Sequence, residues 1–221
     1  MCFNNEGYQN YITSLIKEMM ELYDIDGVFA DCMTPTPFCY CPKCTREMIE
    51  EGLDITNENH VRYFAWKNFK KFARLLRDAV PEGKLIVLDL FSDGQPEFDK
   101  FGYNGYAPQE AMFCVVPNFG GRSGLMGRLQ SVVDGYFNYK DKYANLKGIC
   151  TAPEAIEQTP VTYDLVYQLP WMESKPDVAT WVANYTVARY GKDNAVVKEA
   201  WDLLRRGPLN YSTDAIQGPV E

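Results

Sequence analysis

The chain has 221 residues, 46% hydrophobic and 14% aromatic, enough for one domain with a full core or one domain and part of another, and too apolar for a disordered chain. A net charge of −8 and a pI near 4.8 argue against nucleic acid or an anionic membrane surface as partners. No apolar run approaches the ~20 residues that cross a bilayer, and Met1 to Glu6 lacks the basic and apolar regions of a signal peptide, so a soluble, cytoplasmic protein is expected.

Tyr8 to Tyr23 places Tyr8, Tyr11, Ile12, Leu15, Ile16, Met19 and Met20 at helical period, with Lys17, Glu18 and Glu21 opposite, and is expected to pack on a sheet. Val28 to Ala30 then reads as a short strand ending in Asp31, either a functional carboxylate or the cap of the following loop. Cys39, Cys41 and Cys44 form a C-x-C-x-x-C pattern whose thiolates can converge on one tetrahedral ion. A fourth ligand is needed; Cys32 is nearest in sequence and Cys2 is the other candidate, while His60 is further off. Reduced surface thiols are the alternative. Four ligands leave no open position, so the expected metal is a structural zinc and none is assigned to catalysis.

A helix capped by Thr56 or Asn57 is expected to run to Val80, with Val61, Phe64, Phe69, Phe72 and Leu76 on its buried face. Residues 84–91 are a nearly continuous apolar run, as in a strand buried on both faces. Residues 92–109 read as a long βα loop, 111–116 as a strand, 125–139 as a helix, and 147–152 as a strand. Glu154 follows that last strand after Pro153, in the position where α/β barrels keep their chemistry. A glutamate after proline also fits an ordinary first-turn carboxylate. Helices are expected at 161–169, 171–190 and 194–206, with Gly191 as a C-cap. Four strands with helical sequence between them make an α/β protein, a partial (β/α)8 (TIM) barrel whose open edges invite homo-oligomers.

Several segments are similar to one family. These are Thr151-Ala152-Pro153-Glu154-Ala155-Ile156, Val87-Leu88-Asp89-Leu90-Phe91, Asn118-Phe119-Gly120-Gly121, and the pattern of Trp181, Tyr190-Gly191 and Trp201. From about residue 74 the chain resembles family 89 of the glycoside hydrolases, the α-N-acetylglucosaminidases. The resemblance implies a carbohydrate substrate and retaining cleavage of terminal α-N-acetylglucosaminides. It implies Glu154 as nucleophile, with Leu90, Asn118, Phe119 and Trp171 around the sugar. It also implies the C-terminal half of the barrel in 1–170 and the start of an all-α domain in 171–221. Ala155 stands where the family has glycine, Pro117 where it has histidine, and Arg122-Ser123 where it has Asn-His.

Residues 2–79 resemble instead the fucosidase-like and β-galactosidase-like barrel glycosidases, and the two resemblances meet near 74–82. The first portion offers Asp31 as the provisional acid/base partner of Glu154, with Asp89 and Asp93 as lesser candidates more easily read as loop and turn ligands, and its cysteine pattern resembles the zinc loop of family 42 β-galactosidases. A catalytically inactive half-barrel, or a sugar-binding, self-associating module held by zinc, is the alternative function.

Overall fold

The computed structural model describes residues 2–25, 38–80, 83–99, 104–117, 125, 127–154 and 158–210. The chain divides into two compact units, Met1–Leu85 and Ile86–Glu221. In the first, helix α1 (Glu6–Leu22) starts at Asn5, whose side chain accepts the Tyr8 N–H at 2.9 Å. Helix α2 (Pro42–Glu50) has proline at its first position, and helix α3 (Glu58–Ala79) is capped by Asn57, which accepts from the Asn59 N–H at 3.0 Å.

The sequence reading put α1 on a sheet; among the described residues it packs on α3. Phe3 and Tyr8 lie 5.0 and 5.6 Å, centroid to centroid, from Phe72 of α3. The aromatic stripe of α3 supplies the apolar partner that a sheet was expected to provide. Helix α2 was read as part of a loop. Its signals were Pro42 and the i, i+4 spacing of Cys44 and Met48, both buried with Val61 and Phe64 in a small core. The strand expected from Val28 to Asp31 lies outside the described residues.

In the second unit, β1 (Ile86–Leu90), β2 (Glu110–Val115) and β3 (Leu146–Thr151) form a parallel sheet in that order. All three fall within a residue or two of expectation. Helix α4 (Leu129–Lys142) crosses from β2 to β3, and α5 (Pro160–Gln168), α6 (Val178–Tyr190) and α7 (Ala195–Arg206) follow. Ala111, Phe113 and Val115 alternate along β2 and meet Leu129, Val132, Val133 and Tyr136 of α4, with Val161, Leu165 and Val182 completing the core. Gly135 lets the helix approach: a Cβ there would lie 3.0 Å from the Phe113 ring.

The helix expected from Trp171 starts later. Residues 169–171 form a 3₁₀ turn and α6 begins only after Asp177, which accepts the Thr180 N–H at 2.8 Å. Pro176 biases the residue before it away from helix, so the helix waits for the next good cap. Gly191 ends α6 in the left-handed region at φ 65°, as its sequence position foretold. No helix among the described residues is long and apolar enough to cross a membrane.

Candidate active site

In a parallel sheet every strand ends on the same edge, and here that edge gathers Leu90, Val116 and Glu154. Leu90 closes β1 and is 41% exposed. The chain then turns sharply: Phe91 adopts φ 67°, its carbonyl accepts the Gly94 and Gln95 N–H groups, and the Ser92 N–H returns to the Cys114 carbonyl of β2 at 2.9 Å. Gly94 is required at this turn, since a Cβ on it would fall 2.2 Å from the Phe91 ring.

Asp93 fastens the strand ends together. Its Oδ1 accepts the Val116 N–H at 3.0 Å and its Oδ2 accepts from Arg128 Nη1 at 2.9 Å, with side-chain exposures of 1% and 3%. Arg128 caps α4 in the left-handed region at φ 41°, strained for a non-glycine residue, and its guanidinium lies 4.5 Å over the Phe91 ring. Its Nε and Nη2 have no hydrogen-bond partner among the described residues. Burial raises the Asp93 carboxyl; the Val116 N–H and the Arg128 charge pull it back down. The sequence reading offered Asp93, with Asp89, only as a lesser candidate for the acid/base and more readily as a turn ligand, and did not name Arg128. The pair is 35 residues apart, and only the packing of β1 beside β2 brings it together.

Asp89 is buried on β1, where it accepts the Glu97 N–H at 2.9 Å. Burial lifts its carboxyl to about 6 from an ordinary 3.8. A raised folded-state pKa means stability that is full below the unfolded value and lost as pH rises through about 6. Asp89→Asn is therefore expected to raise the melting temperature relative to the parent at pH 7, by up to roughly 3 kcal/mol in stability. The gain vanishes near pH 4. Equal effects at both pH values would show that the carboxyl is not raised.

At β3, the Ala152 N–H donates to the Val115 carbonyl at 2.9 Å, which carries the ladder one residue past the strand. Thr151 Oγ1 and the Tyr167 hydroxyl are 2.5 Å apart. Glu154 stands three residues beyond Thr151, exposed. It is not a first-turn carboxylate of α5, which starts at Pro160. Trp171 sits in the 3₁₀ turn after α5, 87% exposed, beside Met172, whose carbonyl accepts from Lys140 of α4. Asn118, Phe119 and Asp31 lie outside the described residues.

In the first unit, Cys39, Cys41 and Cys44 converge with Cys2. Cys32, the nearest candidate in sequence, lies outside the described residues. The Cys44 backbone N–H faces the Cys41 sulfur and holds that thiol down at about 7. His60 is engaged elsewhere: its Nδ1 accepts the Asp54 N–H at 3.0 Å.

A family model described as the α-N-acetylglucosaminidase (NAGLU) TIM-barrel domain matches residues 58–173. It takes in the whole of α3, so it begins earlier than the resemblance read from about residue 74. Human α-N-acetylglucosaminidase is 36% identical over 147 residues, which is 66% of this chain and 20% of that protein. Two solved structures from Clostridium perfringens are similar in fold. A family 89 glycoside hydrolase in complex with PUGNAc is 21% identical with a TM-score of 0.53, over 67% of this chain and 18% of that one. A form with two glutamates replaced by glutamine, in complex with its substrate GlcNAc-α-1,4-galactose, is 19% identical with a TM-score of 0.54, over 70% and 19%. The chain spans about a fifth of the length of these relatives. Together with the three-stranded parallel sheet, which does not close among the described residues, the matches make this a partial barrel.

Proposed function

The chain belongs to the α-N-acetylglucosaminidase family, and on that premise we propose that it carries the nucleophile half of a retaining glycosidase site for terminal α-N-acetylglucosaminides. The observation that carries this reading is Glu154, exposed just past β3 on the edge where all three parallel strands end. Its carboxyl would attack the anomeric carbon, forming a glycosyl ester as the aglycone leaves. A second carboxyl group ~5–5.5 Å away would protonate the leaving oxygen and later deprotonate the attacking water. Asp31 is the provisional choice for that partner. Leu90, Asn118, Phe119 and Trp171 are proposed to line the sugar site, in the C-terminal half of the barrel, with residues 171–221 opening an all-α domain.

The frame suits the chemistry. The buried Asp93–Arg128 pair ties β1 to the segment after β2, and the Ala152 N–H ties β2 to the segment before Glu154. A nucleophile needs such support, since a misplacement near 1 Å can cost ~10²-fold. The test is hydrolysis of an aryl α-N-acetylglucosaminide by the purified chain, with the anomer of the first-formed sugar read by NMR. Release of the α-anomer supports the reading; β-anomer first would replace retention by inversion.

A second reading has its own observation. Among the described residues, β1 and β3 are each paired on one side only, an arrangement that invites association through sheet edges. A folded chain that binds the glycoside without turnover would favour a sugar-binding, self-associating half-barrel.

A further inference from the structure

Cys2 precedes α1, Cys39 and Cys41 precede α2, and Cys44 lies in the first turn of α2. All four sulfurs lie within 4.8 Å of one another, with Cys2 Sγ 3.5 Å from Cys44 Sγ and 3.8 Å from Cys41 Sγ. A tetrahedral zinc with Zn–S bonds of ≈ 2.3 Å needs its sulfurs ~3.8 Å apart. All four thiols are free. We infer that Cys2, Cys39, Cys41 and Cys44 form a structural zinc site that staples the segment before α1 to the start of α2.

Three features support a metal over four idle thiols. The first is the surroundings. Asn4 is buried and turns its Nδ2 toward Cys44 Sγ at 3.8 Å, as an outer donor to a metal-bound thiolate does, and the same amide also donates to Glu47. Glu47 in turn accepts from Lys43 at 2.5 Å, which fixes the amide's position.

The second is the scaffold. Pro42 sets the first turn of α2, and the Thr45 N–H bonds the Cys41 carbonyl at 2.9 Å, so Cys41 and Cys44 are held at a fixed spacing. The Asn5 N–H bonds the Cys2 carbonyl at 3.1 Å, which curls Cys2 back over α2.

The third is energetic. Among the described residues, the core beside the cluster holds Cys44, Met48, Val61 and Phe64 as fully buried apolar residues, and cores this small are commonly reinforced by a metal or a disulfide. Four thiolates select a soft or borderline ion, and four protein ligands leave no place for substrate, so the ion is structural.

The test is metal analysis of the whole chain, purified without chelator. One zinc per chain is expected, retained in Cys32→Ser and Cys150→Ser and lost in Cys2→Ser and Cys41→Ser. Because a ligand variant can fail to fold, the parent chain is also grown with cobalt. The expected spectrum has intense sulfur-to-cobalt charge transfer and the visible bands of a tetrahedral ion. A folded chain without stoichiometric zinc, stoichiometric iron in its place, a disulfide among the four cysteines, zinc lost from Cys32→Ser but kept in Cys2→Ser, or a cobalt spectrum without thiolate bands would each overturn the site.

Discussion

Glu154→Ala is expected to lower kcat/KM for an aryl α-N-acetylglucosaminide on the order of 10⁴–10⁶-fold, the scale on which removal of a nucleophile acts in other enzymes. The loss comes from chemistry and not from stability, because Glu154 is exposed and lies outside the buried frame that holds the strand ends. Melting temperature should stay within the small range of a surface substitution while turnover falls. The stronger test is rescue. The truncated side chain leaves room for a small anion, and azide added to Glu154→Ala should restore aglycone release and give the β-glycosyl azide, one inversion from an α-substrate. If azide restores nothing while the parent turns over, Glu154 is not the nucleophile. A fluorosugar trapped on another carboxylate would say which residue is.

Arg128→Met is expected to destabilise the second unit by ~3–5 kcal/mol, the effect of leaving one member of a buried ion pair without its partner. Arg128 and Asp93 are 3% and 1% exposed and 2.9 Å apart, and the substitution would leave the Asp93 carboxylate facing apolar packing. The pH dependence follows from sign. Burial already raises the Asp93 carboxyl, and loss of the guanidinium raises it further, so the variant's stability is greatest at low pH and is lost as pH rises through that elevated value. Adding Asp93→Asn should recover much of the loss at neutral pH, since the amide oxygen still accepts the Val116 N–H while no charge remains to bury. Urea unfolding of the four proteins at two pH values completes the cycle. A cost below ~1 kcal/mol for Arg128→Met would mean that the pair is not dry.

The periodic elements were legible in the sequence because their partners are generic. The apolar runs at 84–91, 111–116 and 147–152 became β1, β2 and β3 within two residues, since a strand buried in a parallel sheet needs only continuous apolar character. α7 ran as expected because Asn194, which accepts from the Val196 and Val197 N–H groups, and Gly207 mark its ends locally. The exceptions were places where a local signal was outweighed. Trp171 to Tyr190 reads as one helix, but Pro176 and the Asp177 cap move the start of α6. Helix α2 was hidden by its cysteines, which read as a metal loop and turned out to begin a helix as well.

The candidate site divides the same way. That Glu154 follows a strand is a statement about neighbours in sequence, and it was readable without coordinates. That Asp93 bonds Val116 and Arg128, and that Asp89 is dry enough for its carboxyl to rise to about 6, depends on residues brought together across 23, 35 and 8 positions. No local pattern encodes such pairs, because burial and Coulomb energy depend on distance in space. The cysteines show the boundary most plainly. Spacing alone placed Cys39, Cys41 and Cys44 around one point, since a turn and a helix start hold them within reach. Cys2, 37 positions before Cys39, is brought to them by the packing of the segment before α1 against α2.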